Sequence, residues 1–280
     1  AYSFALEGGS GIKGCVENGG LAWISGKLLL AASTAKDGRF ATLEIDGKYE
    51  GGTQPKFDGS AVATVLAEHD LGFTAYNYGF FLQPASGFSI VMKESVFSEM
   101  HGDIGVLARQ RSKKDKGMRG DVRMTLSGDA VKVGSEWKFD GHADASVEGG
   151  IKVGAAGGYE FWIETGSNIA VDVRANRFVS VEGTLKGKVT ENDKGFLGFD
   201  CWVRYAAGEG EGDKGVVDAR GSCRLLGEKE LYRSGGFAFS LLPTAGYTAL
   251  IVVEKNEVKE VGGTLAFRLE NSNAKPQPLK

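Results

Sequence analysis

The sequence predicts an all-β chain: an antiparallel meander of short strands in tandem units of about 78 residues, forming a large curved sheet, a sandwich or a β-shell. Three observations predict it. Apolar and polar residues alternate with a period of two, glycine-bearing turn signals fall at hairpin spacing, and no dozen consecutive residues carry a helical stripe.

The alternation is plainest from Phe178 to Val189. There Val179, Val181, Gly183, Leu185, Gly187 and Val189 are apolar or small, while Ser180, Glu182, Thr184, Lys186 and Lys188 are polar. Val122, Met124 and Leu126 alternate in the same way with Arg123, Thr125 and Ser127, and Ala41, Leu43 and Ile45 with Thr42, Glu44 and Asp46. Such runs are half-buried strands, because successive side chains of a strand point to opposite faces.

The units are read from an aromatic-x-Phe-x-aliphatic opening. It occurs at Tyr2-Ser-Phe4-Ala-Leu6, Tyr78-Gly-Phe80-Phe81-Leu82, Tyr159-Glu-Phe161-Trp-Ile163 and Phe237-Ala-Phe239-Ser-Leu241, with starts 76, 81 and 78 residues apart. Nine positions after each start stand Gly11, Gly87, Asn168 and Gly246, residues that tolerate positive φ, and a turn between two strands is expected there. Further signals follow in the same order, at Gly26, Gly102, Gly183 and Gly263, then at Lys36-Asp37-Gly38, Asp115-Lys116-Gly117 and Asp193-Lys194-Gly195. Phe57-Asp58-Gly59 and Phe139-Asp140-Gly141 close the first two units. One repeat domain spanning 1–280 results, with units of roughly 1–77, 78–157, 158–235 and a partial 236–280. Each full unit is expected to hold five strands, for about eighteen in all.

Composition agrees. Glycine makes up 43 of the 280 residues, about twice the usual share of about 7%, while proline supplies only 5, so a disordered Pro/Gly linker is excluded. The net charge of −3 gives no pull toward nucleic acid. The first residue, Ala1, fits an initiator Met removed in the cytoplasm or a signal peptide removed on export.

Two stretches carry no charge, Leu71 to Met92 and Ser234 to Val253. Each is long enough to suggest a membrane helix, but Pro84 and Pro243 stand just before the expected turn, where a hairpin accepts them. They are read as hairpins apolar on both faces, through Tyr78, Phe80, Phe81, Leu82 and Phe88, and through Phe237, Phe239, Leu241, Leu242 and Tyr247. Such a hairpin is covered by the chain's own core, by a partner, by an apolar ligand or by lipid. The one strong charge run, Arg109, Arg111, Lys113, Lys114, Lys116 and Arg119 around Asp115, is a solvated loop or a docking point for an acidic partner or anionic headgroups.

Candidate chemistry is sparse. His69, His101 and His142 show no ligand spacing, and no Gly-x-Ser-x-Gly elbow accompanies them, so no metal or cofactor is expected. Two Gly-x-Gly-x-x-Gly matches, at Gly9–Gly14 and Gly210–Gly215, lead into strands and are read as hairpin loops rather than phosphate cradles. Cys201 and Cys223 lie symmetrically about residue 212, so a simple hairpin sets them opposite each other, as a candidate disulfide or as two adjacent thiols. The expected function is a non-catalytic structural or accessory subunit whose β surface and apolar hairpins bind protein partners, further copies or an apolar ligand. The alternatives are an outer-membrane-type β-barrel and a β-sandwich hydrolase using Asp58 and Asp140.

Overall fold

A computed structural model describes residues 2–35, 38–75, 78–110, 120–208 and 214–271. The protein is all-β: among the described residues there is no helix, and 77% of them lie in strands. The strands are β1 Tyr2–Leu6, β2 Gly11–Glu17, β3 Gly20–Thr34, β4 Gly38–Glu50, β5 Lys56–Val65, β6 His69–Ala75, β7 Tyr78–Leu82, β8 Gly87–Lys93, β9 Val96–Gln110, β10 Val122–Val133 and β11 Glu136–Val147. They continue as β12 Ile151–Ala156, β13 Tyr159–Ile163, β14 Asn168–Arg174, β15 Arg177–Glu191, β16 Lys194–Ala206, β17 Val216–Leu225, β18 Lys229–Ser234, β19 Phe237–Leu242, β20 Ala249–Glu254, β21 Glu257–Gly262 and β22 Ala266–Asn271. The chain divides into two compact units, one of Ala1–Lys113, Val122–Ala145 and Ala170–Val179, the other of Lys114–Asp121, Ser146–Ile169 and Ser180–Lys280.

Among the described residues of the first unit the strands pair antiparallel, in near-chain order. β3 pairs with β4, β4 with β5, β5 with β8, β8 with β9 and β9 with β10. The second unit runs from β13 to β15, β16, β17, β20 and β21 in the same manner. There β18, β19 and β22 form a separate three-stranded antiparallel sheet.

Among the described residues twenty-two strands stand where about eighteen were expected, because the segments closing each unit are split, as β5 and β6, β11 and β12, β17 and β18, and β21 and β22. The turns expected at Gly11, Gly87 and Gly246 do not reverse the chain. β7 and β8 do not pair with each other: both lie antiparallel to β9, from Tyr78↔Gln110 to Leu82↔Val106 and from Gly87↔Asp103 to Lys93↔Val96. They are two halves of one interrupted strand, and β1 and β2 share β3 in the same way. Gly11, Gly87, Asn168 and Gly246 do not have positive φ; at the first three breaks it falls two residues earlier, at Gly9, Ala85 (φ 67) and Gly166.

A serine holds the breaks before Gly11, Gly87 and Asn168 in line, with Ser86 and Ser167 buried and Ser10 half-buried. Ser10 Oγ accepts the Leu29 amide, Ser86 Oγ the Gly105 amide and Ser167 Oγ the Lys186 amide, each at 2.9 Å. Each hydroxyl also faces the carbonyl of the same residue, at 3.4, 3.2 and 3.0 Å. The hydroxyl replaces the missing peptide partner, so the long strand opposite remains continuous for 15 residues in β3, β9 and β15.

Register assigns the two faces. In the first unit one row reads Leu28, Ile45, Ala61, Ile90, Met100, Ala130 across six strands, and the next reads Leu30, Leu43, Ala63, Phe88, Gly102, Gly128. The opposite face between them reads Leu29, Glu44, Val62, Ser89, His101, Asp129. In the second unit Leu185, Cys201, Gly221, Ile251 and Val261 form an uncharged row, backed by Thr184, Trp202, Arg220, Val252 and Glu260.

Candidate interaction face

Each unit has a sheet with one uncharged face, whose side chains are partly exposed among the described residues. Among the described residues no large side chain is fully buried, and the buried hydrophobics are Ala31, Val65, Leu107, Ala108, Val189, Leu225 and Ala238. On the first unit's uncharged face Phe88 is 41% exposed, Ile104 37% and Leu126 50%. Burial in the chain's own core therefore does not account for these residues.

Glycines shape this face. An added Cβ on Gly47 or Gly59 would stand within 3.0 Å of the Phe57 ring, and one on Gly128 or Gly141 within 2.9 Å of the Phe139 ring. The ring lies flat over two neighbouring strands, supplying the side-chain packing the glycines lack. Beside Phe139 is a hollow of about 230 Å³, walled by Phe88, Met100, Ile104 and Leu126 over Gly102 and Gly128.

The apolar stretches of the sequence fall on both faces, as strands rather than hairpins. Phe80 and Leu82 pair with Ala108 and Val106, which places them with Tyr78 on the uncharged face. Phe81 points the other way, with the Arg109 guanidinium 5.0 Å above its ring. In the second unit Phe239 stacks on Phe267 at 5.2 Å, while Phe237 is exposed and Leu241 and Leu242 are half-buried. Tyr247 lies under the Arg220 guanidinium and accepts a hydrogen bond from its Nη2 at 3.0 Å. Of the basic run, Arg109 is paired with Glu68 at 3.1 Å; Arg111, Lys113, Lys114, Lys116 and Arg119 lie outside the described residues.

The opposite face is polar and internally paired, with Lys27 to Glu44 at 2.5 Å and Lys93 to Glu99 at 2.6 Å. Two histidines line a groove of about 320 Å³ there. His101 Nδ1 is 2.7 Å from Asp129 and His142 Nδ1 is 2.7 Å from Asp172, with Asp140 and Arg174 beside them. This meeting was not read from the sequence, although the hairpin joining β9 to β10 puts His101 directly across from Asp129. Among the described residues no group of three or more His, Cys, Asp or Glu is arranged to hold a metal ion. His69 is buried, stacked on Phe40 at 3.9 Å and 3.3 Å from the Tyr2 hydroxyl.

The two candidate acids serve the backbone. Asp58 accepts the Glu94 amide at 2.6 Å and Asp140 the Ala175 amide at 2.6 Å; Asp218 does the same for Lys255 at 2.8 Å. Each accepted amide belongs to a turn with two successive positive-φ residues, Glu94-Ser95, Ala175-Asn176 and Lys255-Asn256. The second turn residue completes the latch, since Ser95, Asn176 and Asn256 accept the amides of Phe57, Phe139 and Val217.

Cys201 and Cys223 are not opposed. Cys201 faces Gly221 and Cys223 faces Phe199, a shift of two residues from the symmetric hairpin, and all three cysteines are free thiols. Even symmetry about the loop centre was the assumption that failed. Of the two glycine motifs, Gly9–Gly14 spans the break between β1 and β2 rather than a hairpin loop, and residues 210–213 of the other lie outside the described residues.

The chain matches no family model, no curated protein and no solved structure.

Proposed function

We propose that this protein is a non-catalytic structural or accessory subunit, which offers the uncharged faces of its sheet to protein partners or an apolar ligand in a larger assembly. The observation that carries this reading is the pair of six-strand rows through Leu28 and Leu30, uncharged from end to end and partly open to solvent. Exposed apolar patches of this extent mark interaction surfaces. The engagement of Asp58 and Asp140 by turn amides supports a structural role for both carboxylates. Native mass spectrometry of the protein taken from its source tests the proposal. A mass above that of one chain, from partners or an apolar ligand, is expected; a bare single chain would count against it.

One observation favours a membrane β-barrel as a second reading. The meander has one uncharged and one polar face, the arrangement a barrel wall presents to lipid and to its lumen. Extraction without detergent, in a monodisperse form, would end this reading.

A further inference from the structure

We infer that the uncharged face of the first unit is where two copies of this chain meet, packed sheet on sheet; this rests on the reading of that face as an interaction surface. Area is the first argument. β3, β4, β5, β8, β9 and β10 at about 4.8 Å spacing span about 29 Å, and nine residues of β3 rise about 30 Å, a patch of roughly 850 Å². A stable interface needs about 800 Å² from each partner, so the face is large enough by itself.

Charge is the second argument. A two-fold axis sets a patch against itself, so any net charge in it would meet its own sign. The rows through Leu28 and Leu30 contain no ionisable side chain, whereas the opposite face carries Glu44, His101 and Asp129 in a single row. Only the first face can be laid on its own copy without repulsion or burial of a charge. Shape is the third. The hollow over Gly102 and Gly128 is a recess of about 230 Å³, and on the same face Phe97 stands half exposed, so the patch offers both a recess and a projection to its copy. Two aligned sheets about 10 Å apart interdigitate side chains of this kind.

The test is sedimentation equilibrium of the full chain, with hydroxyl-radical footprinting of the unmodified protein over the same concentrations. A two-chain species is expected, with oxidation of Phe97, Met100 and Met124 falling as it forms while Tyr232 is unaffected. Leu126→Glu, checked for its native circular dichroism, should weaken the self-association roughly 100-fold, and Ser89→Glu on the other face by less than about 3-fold. The footprint stands independently of whether Leu126→Glu folds. A pair of chains with unprotected Phe97 and Met100 overturns the inference. A single chain carrying lipid or a different protein overturns the pairing alone, and a bare single chain overturns the interaction reading as well.

Discussion

Ser86 and Gly105 form a side-chain replacement for a peptide pair: the serine hydroxyl accepts the Gly105 amide at 2.9 Å and donates to the Gly105 carbonyl at 3.2 Å. Ser86 is only 4% exposed, and the Gly105 amide depends on it, while the Gly105 carbonyl also accepts the Gln83 amide at 2.8 Å. Ser86→Ala leaves a buried donor unmet and should destabilise by about 1–3 kcal/mol. Urea unfolding measures the loss, and amide exchange should accelerate at Gly105 before other β9 positions. Near the end of the chain Ala245 stands just before Gly246, and β21 and β22 are interrupted between Gly262 and Ala266.

Asp140→Ala should cost about 0.5–2 kcal/mol, the range for losing a side-chain acceptor of an otherwise unpaired turn amide. Asp140→Asn keeps one carbonyl oxygen and should cost less. Amide exchange at Ala175 reports the effect directly. Equal losses for the two variants would contradict the latch.

Gly141→Ala places a Cβ 2.4 Å from Phe139 Cζ, with no backbone atom nearer than 3.4 Å. The clash is therefore with the ring, and overpacking of this kind costs about 1–3 kcal/mol. In a double-mutant cycle Phe139→Leu should recover much of the Gly141→Ala loss, giving a coupling of more than about 0.5 kcal/mol. Additive losses would mean that the ring does not require the glycine.

These three contacts also show what was legible in the sequence. Strand type and the two-faced pattern followed from period-two alternation, which depends only on neighbouring residues. The pairing of Phe with Asp and Gly at 57–59 and 139–141 was visible, but its purpose was not. Phe57 covers glycines on two strands and Asp58 caps a turn 36 residues away, relationships that only register reveals. The Gly87 region was misread as a reversal because its decisive residue, Ser86, acts through a hydroxyl that any exposed turn serine also has. The cysteines were misplaced because a shift of two residues keeps both on the same face, leaving the alternation unchanged.

Acid should weaken the contact between Glu68 and Arg109. Partial burial pushes the Glu68 carboxyl up, but hydrogen bonds from Gln83 and Arg109 and the Arg109 charge outweigh it, holding the group below its ordinary 4.5. A depressed carboxyl stabilises the fold above the unfolded value, and the gain is lost as pH falls through the folded value. Glu68→Gln should therefore lower Tm at neutral pH and leave it unchanged once the wild-type carboxyl is protonated. A Tm gap that persists at pH about 2 would show that charge is not the cause.

Cys15, Cys201 and Cys223 should all titrate with a thiol reagent in denaturant without reductant, and reductant should leave Tm unchanged. In the native protein Cys201, the exposed one, should react first. A Tm that drops with reductant would require a register other than Cys201 facing Gly221.

The chain-ordered pairing of the strands has a kinetic consequence. Wide registered pairs such as Ala219↔Val253 and Phe237↔Asn271 join residues only 34 positions apart. Loop closure is then short at every step, and rungs can be added one after another from any hairpin already formed. A chain emerging from the ribosome can complete β3 against β4 while β15 is still unmade, so the sheet grows in the order of synthesis with no distant segment needed to begin.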